Sequence, residues 1–256
     1  MYAFTEASYE NSIIELFENL GYEHVYGPDT NRKEEELRNP FMEERLYSSL
    51  ETINPLLSRR AIEEAVYKIS NYEVGSLVSK NEIFMDYLQN GVEVSFQENG
   101  EEKHEIIRLV DYENPSMNSM IVANQWTFKE YETKRPDVVI FLNGIPVVVF
   151  ELKSPKADSV TIEDAYLQIQ NYKKSIESFF IYNAFCVISD QSQTKAGTIT
   201  ASLDRFMEWK TVDGSYEDTQ FADFTTLING MFAKNRFLDL IHNFICFSKH
   251  SDAHPK

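Results

Sequence analysis

Cysteine is nearly absent from this 256-residue chain: only Cys186 and Cys246 occur, 60 positions apart, with no CxxC and no Cys/His ligand spacing. A disulfide framework and a structural zinc site are both excluded, and a reducing cytoplasm fits best. No stretch approaches the ~18 apolar residues of a membrane span. The opening MYAFTEASYENSII lacks a basic region followed by an apolar one, so the chain reads as soluble and untargeted, with no membrane partner. Basic residues are scarce, 24 Lys and Arg against 41 Asp and Glu, for a formal net charge of −17. That balance excludes a protein that coats nucleic acid or anionic lipid by charge alone. No internal repeat, low-complexity linker or GxxxxGK[ST] phosphate loop is present,.

What is present is core material. With 43% hydrophobic and 13% aromatic residues, the chain can bury a substantial interior, as one large domain or two small ones. The charge is unevenly spread. Residues 1 to 120 carry 10 basic and 24 acidic side chains, residues 121 to 175 carry 7 and 7, and residues 176 to 256 carry 7 and 10. An anionic substrate is better met in the balanced middle window, which holds Lys129, Lys134, Arg135, Lys153, Lys156, Lys173 and Lys174,. The Glu34-Glu35-Glu36 run reads as solvated surface.

Periodicity predicts an amphipathic helix from Glu6 to Leu20, with Thr5 as N-cap, Tyr9, Ile13, Leu16, Phe17 and Leu20 on one face, and Gly21 as the stop,. A polar loop spans Gly27 to Arg38. PFMEERLYSSLETI and SRRAIEEAVYKIS predict two helices separated by Pro55, and a further helix runs near Lys80 to Leu88,. VEVSF and HEIIRLV form a hairpin about Asn99-Gly100, and SMIVANQWTF reads as one strand,. Val138 to Leu142 and Ile145 to Leu152 flank Asn143-Gly144 and are too uniformly apolar to be solvated on one face, so they are the central strands,. A helix from Thr161 to Phe179, opened by a capping box of Thr161 and Asp164, leads to the buried strand NAFCVIS through a right-handed crossover,. The tail mixes strand (TITASL) and helix and ends in an apolar segment shaped for packing.

Chemistry concentrates at Asp137 and at Glu151-Leu152-Lys153, charges at the ends of strands otherwise without any. Phosphodiester hydrolysis needs a hard cation to neutralise transition-state charge and acidify a water, and Mg²⁺ takes a few carboxylate oxygens plus water and substrate phosphate. Asp137 and Glu151 can supply those oxygens. Strand alternation puts Glu151 and Lys153 on one face, so the ammonium can orient the water, steady developing charge or accept its proton, while Leu152 offers only its backbone carbonyl to the metal. A structural Glu151–Lys153 salt bridge would give the same spacing.

Register decides whether one metal can be shared. A regular two-residue hairpin at Asn143-Gly144 pairs Leu142 with Ile145, sets Asp137 across from Phe150, and leaves Glu151 on the opposite face. A three-residue connection or a bulge moves Asp137 directly across from Glu151. The shared site therefore requires an irregularity in this hairpin.

In the following helix, Gln168 and Tyr172 are four residues apart and share a face, where both can reach a nucleotide; Tyr172 also fits an apolar face with Ile162, Ile169 and Ile176. In the first helix Glu6 falls within the apolar stripe. It is either a third metal-site carboxylate, with Glu10 next, or an acid favoured at a helix N-terminus.

Together, Pro136-Asp137, Glu151-Leu152-Lys153 and Gln168-Ile-Gln-Asn-Tyr172 resemble the PD-(D/E)xK plus QxxxY pattern of RecB-like nucleases. Asn124-Gln125-Trp126-Thr127, RPDVVIFLNGIPVVVFELKSP, Trp209-Lys210 and NRFLDLIHNFICF, with TEASYENSIIELFENLGYE at the start, resemble the N-terminal nuclease domain of the R subunit of type I restriction-modification enzymes. The likeness spans nearly the whole chain and is most specific from Asn124 to Pro155. It implies an α/β PD-(D/E)xK core, a mixed central sheet flanked by helices, in a single domain over 1–256. Within it, 1–120 is a helical and hairpin part, 121–190 the catalytic core, and 191–256 leads to an absent ATP-dependent translocase. The resemblance implies catalytic Asp137, Glu151 and Lys153, a metal site of Asp137, Glu151, the Leu152 carbonyl and Glu6, DNA-contacting or site-supporting Gln168 and Tyr172, and Mg²⁺ as cofactor, with ATP used only by the longer subunit. The implied partners are double-stranded DNA, methyltransferase and specificity subunits, and motor domains of the same subunit, which Phe244 to Phe247 would help to contact. The implied activity is restriction of foreign DNA. A RecB-like repair nuclease and an inactive docking domain are the alternatives. The acidic surface fits a domain fed DNA by a motor, and weak or no activity in isolation.

Overall fold

Tyr9, Ile13, Ile14 and Phe17 are buried along one side of the first helix, α1 (Glu6–Asn19), which stops before Gly21 at a φ of 80°. This is a computed structural model, and it describes residues 6–98, 100–153, 161–190, 192–215 and 223–248. The expected Thr5 cap and Asn99 lie outside these residues. After α1 come β1 (Glu23–Tyr26), α2 (Glu43–Ile53), α3 (Arg59–Ser70) and α4 (Leu77–Asn90), then a separate hairpin of β2 (Val92–Glu98) and β3 (Glu101–Ile107). Ser58 and Ser76 cap α3 and α4 by accepting the Ala61 and Ser79 amide N–H groups,.

The remaining elements are β4 (Met120–Asn124), a short hairpin of β5 (Phe128–Lys129) and β6 (Thr133–Lys134), β7 (Val138–Leu142), β8 (Ile145–Leu152), α5 (Ile162–Ser175), α6 (Glu177–Phe180), β9 (Phe185–Ser189), β10 (Thr194–Gly197), α7 (Asp223–Met231), α8 (Lys234–Asp239) and a π-helical turn at Leu240–Phe244. The central sheet is mixed and six-stranded, in the order β1-β4-β7-β8-β9-β10. β1 runs parallel to β4 and β8 parallel to β9, while the β4–β7, β7–β8 and β9–β10 pairs are antiparallel. Helices cover both faces, the α/β architecture expected of a PD-(D/E)xK core. Among the described residues no helix is long and apolar enough to cross a membrane.

All residues of β7, β8 and β9 are buried. Side chains of opposite parity enter two cores. Val138, Ile140, Phe150 and Leu152 join Tyr9 and Phe17 of α1 on one face, and Val139, Phe141, Val149 and Ile188 join Ile162, Ile169 and Tyr172 of α5 on the other. A fully buried Phe150-sized side chain contributes about 1.5–3 kcal/mol to stability.

Several elements depart from expectation. EHVY was not foreseen as a strand; it is an edge strand with mostly exposed side chains, so it carries no alternation to read. SMIVANQWTF is not one strand: β4 ends at Asn124 because Gln125 takes a left-handed φ of 55°, and β5 follows separately. The helix expected over 161–179 breaks at Ile176, whose extended φ of −137° interrupts the helical hydrogen bonding between α5 and α6. The helix placed near Lys80 starts three residues sooner, at Leu77. TITASL is not a strand; β10 ends at Gly197, just before it, and Leu203–Arg205 is a 3₁₀ turn. The Thr161–Asp164 capping box is present, with the Thr161 N–H donating to Asp164 Oδ2 at 2.9 Å. Phe244 is exposed at the chain's apolar end, whereas Ile245 and Phe247 pack partly against the α1-side core.

Candidate active site

The β7–β8 hairpin carries Glu151 and follows directly on Asp137, and it is irregular, as a shared site requires. Asn143 and Gly144 have φ of 53° and 80°, a turn with both central residues left-handed, as favoured for a two-residue connection,. Next to it Leu142 pairs with Ile145 and Phe141 with Pro146, but Ile140 pairs with Val148. Val147 is the extra residue of a β-bulge. Beyond it Val139 faces Val149 and Val138 faces Phe150, which carries Asp137 onto the register position of Glu151,. Both carboxylates lie on the side of Val139 and Val149, the face covered by α5.

The contacts agree with that placement. The Leu152 N–H donates to Asp137 Oδ2 at 2.7 Å. Glu151 is 3% exposed and forms an ion pair with Lys153, whose ammonium is partly open to solvent. Leu152 is fully buried on the α1 side. The backbone of Lys153 is fixed by an N–H···O bond of 2.8 Å to Ser189. Nearly burying a carboxylate is costly unless it is paired and hydrogen-bonded, and here Lys153 supplies the opposite charge.

α5 adds the predicted pair. The buried Tyr172 phenol is held far above its ordinary range, first by burial and then by the negative charge of Glu151, with Asp137 adding a smaller push. It therefore stays protonated, beside Gln168 and within electrostatic reach of Glu151 and Asp137. Asp137, Glu151, Lys153, Gln168 and Tyr172 thus converge. The apolar reading of Tyr172 holds as well, since its ring lies in the core with Ile162, Ile169 and Ile176.

The N-terminal acids divide. The Glu6 side chain lies outside what the structure describes. Glu10, 8% exposed, accepts from Asn124 Nδ2 at 2.6 Å and from Gln125 Nε2 at 2.7 Å. Sequence reasoning gave no site role to His24, Ser189 or Tyr9, which make further contacts at the strand ends: His24 Nε2 is 2.8 Å from Asn124 Oδ1, and the Tyr9 hydroxyl is 2.5 Å from Ser189 Oγ. A core-facing acid in α1 was the one readable signal of these contacts. Trp126 carries the Arg32 guanidinium 3.6 Å from its ring centroid; burial lowers the pKa of Arg32 to about 10.

Asp137, Glu151 and the Leu152 carbonyl are the oxygen donors available for a hard cation. Among the described residues no group of three His, Cys, Asp or Glu side chains forms a ready metal cage. Two carboxylates suit Mg²⁺, which usually takes only one or two and keeps much of its water.

The family described as "Type I restriction enzyme R protein N terminus" matches residues 3–205. The chain is 32% identical over 256 residues to the type I restriction enzyme HindI endonuclease subunit of Haemophilus influenzae, covering 96% of this chain and 24% of that protein. It is 27% identical over 252 residues to the type I restriction enzyme EcoprrI endonuclease subunit of Escherichia coli, covering 95% of this chain and 74% of the relative. A relative in Methanocaldococcus jannaschii is 31% identical over 94% of this chain, which covers 25% of that protein. The chain thus spans about a quarter of the length of the HindI and M. jannaschii subunits. It belongs to the family of type I restriction enzyme R protein N-termini.

Proposed function

We propose that this chain is the endonuclease domain of a type I restriction enzyme R subunit, and that it hydrolyses phosphodiester bonds of double-stranded DNA. The observation that carries the reading is the bulge at Val147, which brings Asp137 into register with Glu151 on the face where Lys153 and Tyr172 meet them. Asp137, Glu151 and the Leu152 carbonyl would hold Mg²⁺, which when bound supplies charge neutralisation at the phosphate and a more acidic water.

The chain's own residues do the rest. Asp137 is oriented by the Leu152 N–H, so its carboxylate is fixed relative to Glu151. Tyr172, protonated and buried beside Glu151, presents a neutral hydroxyl rather than a second negative charge to that carboxylate. The Lys153 ammonium, partly solvent-open, can meet a phosphate oxygen and steady the negative charge that develops there,. Gln168 lies beside the phenol and opposes the rise in its pKa.

The acidic surface gives little electrostatic capture of DNA. In this reading ATP-driven motor domains of the same subunit deliver the DNA, methyltransferase and specificity subunits select it, and the outcome is restriction of foreign DNA in the cytoplasm. The test is nicking of supercoiled DNA with Mg²⁺ by the complete complex, wild type against Asp137→Ala and Lys153→Ala. The variants are expected to lose roughly 10² to 10³-fold in cleavage rate; cleavage equal to wild type would end the assignment.

A further inference from the structure

Tyr9 and Glu10, adjacent in α1, each lie one hydrogen-bonded residue behind the charged strand ends, yet α1 packs on the face opposite α5. The Tyr9 hydroxyl lies 2.5 Å from Ser189 Oγ, and the Ser189 carbonyl accepts the Lys153 N–H at 2.8 Å. Glu10 accepts from Gln125 Nε2 at 2.7 Å, and the Gln125 N–H donates to the Asp137 carbonyl at 3.0 Å. One turn of one helix therefore reaches the backbones of two site residues from behind the sheet.

Packing alone does not ask for these polar atoms. A phenylalanine at position 9 would keep the edge-to-face contact with Phe224, whose ring centroid is 5.2 Å away. An apolar residue at position 10 would avoid burying a carboxylate that is 8% exposed,. Instead both Glu10 oxygens are engaged by amides, and Asn124 is held in turn by His24. The clamped segment is itself in an uncommon conformation: Gln125 has a φ of 55°, sparsely populated for a residue with a side chain,. Gly27 backs it so closely that a Cβ there would stand 2.4 Å from the Gln125 carbonyl oxygen. Such a conformation persists where its surroundings enforce it.

We propose that Tyr9 and Glu10 are positioning residues, a brace that sets the backbone of Lys153 through Ser189 and that of Asp137 through Gln125. The brace rests on the catalytic reading of Asp137 and Lys153 given above. It links the seating of α1 to the alignment of groups on the other face of the sheet, and a displacement of about 1 Å at such groups can cost 10²-fold in rate.

The experiment uses the complete complex and measures kcat and KM for cleavage of supercoiled DNA, with the thermal midpoint of each variant. Tyr9→Phe and Glu10→Gln are compared with Asp137→Ala and Lys153→Ala. Each brace variant is expected to lower kcat by roughly tenfold to a hundredfold with KM unchanged, a loss far greater than its small drop in thermal midpoint accounts for. Ser189→Ala, which removes the hydroxyl between Tyr9 and the Lys153 contact, is expected to match Tyr9→Phe, and the double variant to be no worse than either single one. Wild-type kcat in Tyr9→Phe and Glu10→Gln, with Asp137→Ala and Lys153→Ala inactive, would overturn the brace and leave the catalytic reading standing. Activity that falls only in step with the thermal midpoint would also overturn it, by reducing both residues to packing. Full cleavage by Asp137→Ala and Lys153→Ala would overturn the catalytic reading and the brace with it.

Discussion

The two ends of the β7–β8 hairpin contrast in how they handle polarity. At the turn, Asn143 is fully buried and every contact is neutral: its Nδ2 donates to the Leu109 carbonyl at 2.8 Å and to Asn118 Oδ1 at 2.9 Å, and its Oδ1 accepts from the Ser119 N–H at 2.8 Å. Gly144 fits tightly against α2. At the open end, 6 to 9 residues away along the strands, Asp137, Glu151 and Lys153 bring charge to the rim of the same sheet. Between them Val147 shifts the pairing by one residue. The turn is organised for stability and, on the proposed reading, the rim for chemistry, with the bulge letting each keep its own register. Substitutions at the two ends should therefore fail differently.

The largest effect is expected at the open end. Glu151→Gln removes a buried carboxylate while leaving Lys153 free to turn into water, so cleavage by the complete complex should fall by roughly a hundredfold or more with little change in thermal midpoint. A large drop in midpoint with retained cleavage would reverse the comparison. At the turn, Gly144→Ala places a Cβ 2.6 Å from the Leu46 nitrogen at a φ of 80°, and denaturant unfolding should show a loss of about 3 kcal/mol. The folded fraction should cleave like wild type; a rate that collapses before the fold does would tie the turn to the chemistry. Tyr172→Phe sharpens the boundary, because its ring belongs to the core and its hydroxyl to the site. Stability should drop by about 1 kcal/mol and cleavage by about tenfold, with no gain of activity at alkaline pH, since the native phenol does not ionise there. Unchanged cleavage would remove Tyr172 from the site.

The open end was far more legible in sequence than its support. β7 and β8 end where the apolar runs end, and Asn143-Gly144 advertised its two left-handed residues. The need for an irregularity followed from counting residues across the turn, although its position at Val147 did not. Gln168 and Tyr172 were readable because helical spacing is short-range. Tyr9 and Ser189, by contrast, are 180 residues apart and Glu10 and Asn124 are 114 apart, so only the folded sheet brings them together. The break at Gln125 and the kink at Ile176 involve residues without a glycine's or proline's local signature,. Exposed β1 had no buried face to imprint on its sequence.

On the proposed reading Asp137 and Glu151 act as one site because the bulge aligns them. Binding of Mn²⁺, a paramagnetic stand-in for Mg²⁺, can be followed by electron paramagnetic resonance in wild type, Asp137→Asn, Glu151→Gln and the double variant. Each single substitution should weaken binding by at least about tenfold, and the double variant should add little, because the two carboxylates serve the same ion. Wild-type binding in either single variant, or two independent and additive losses, would show that the two carboxylates do not serve one ion.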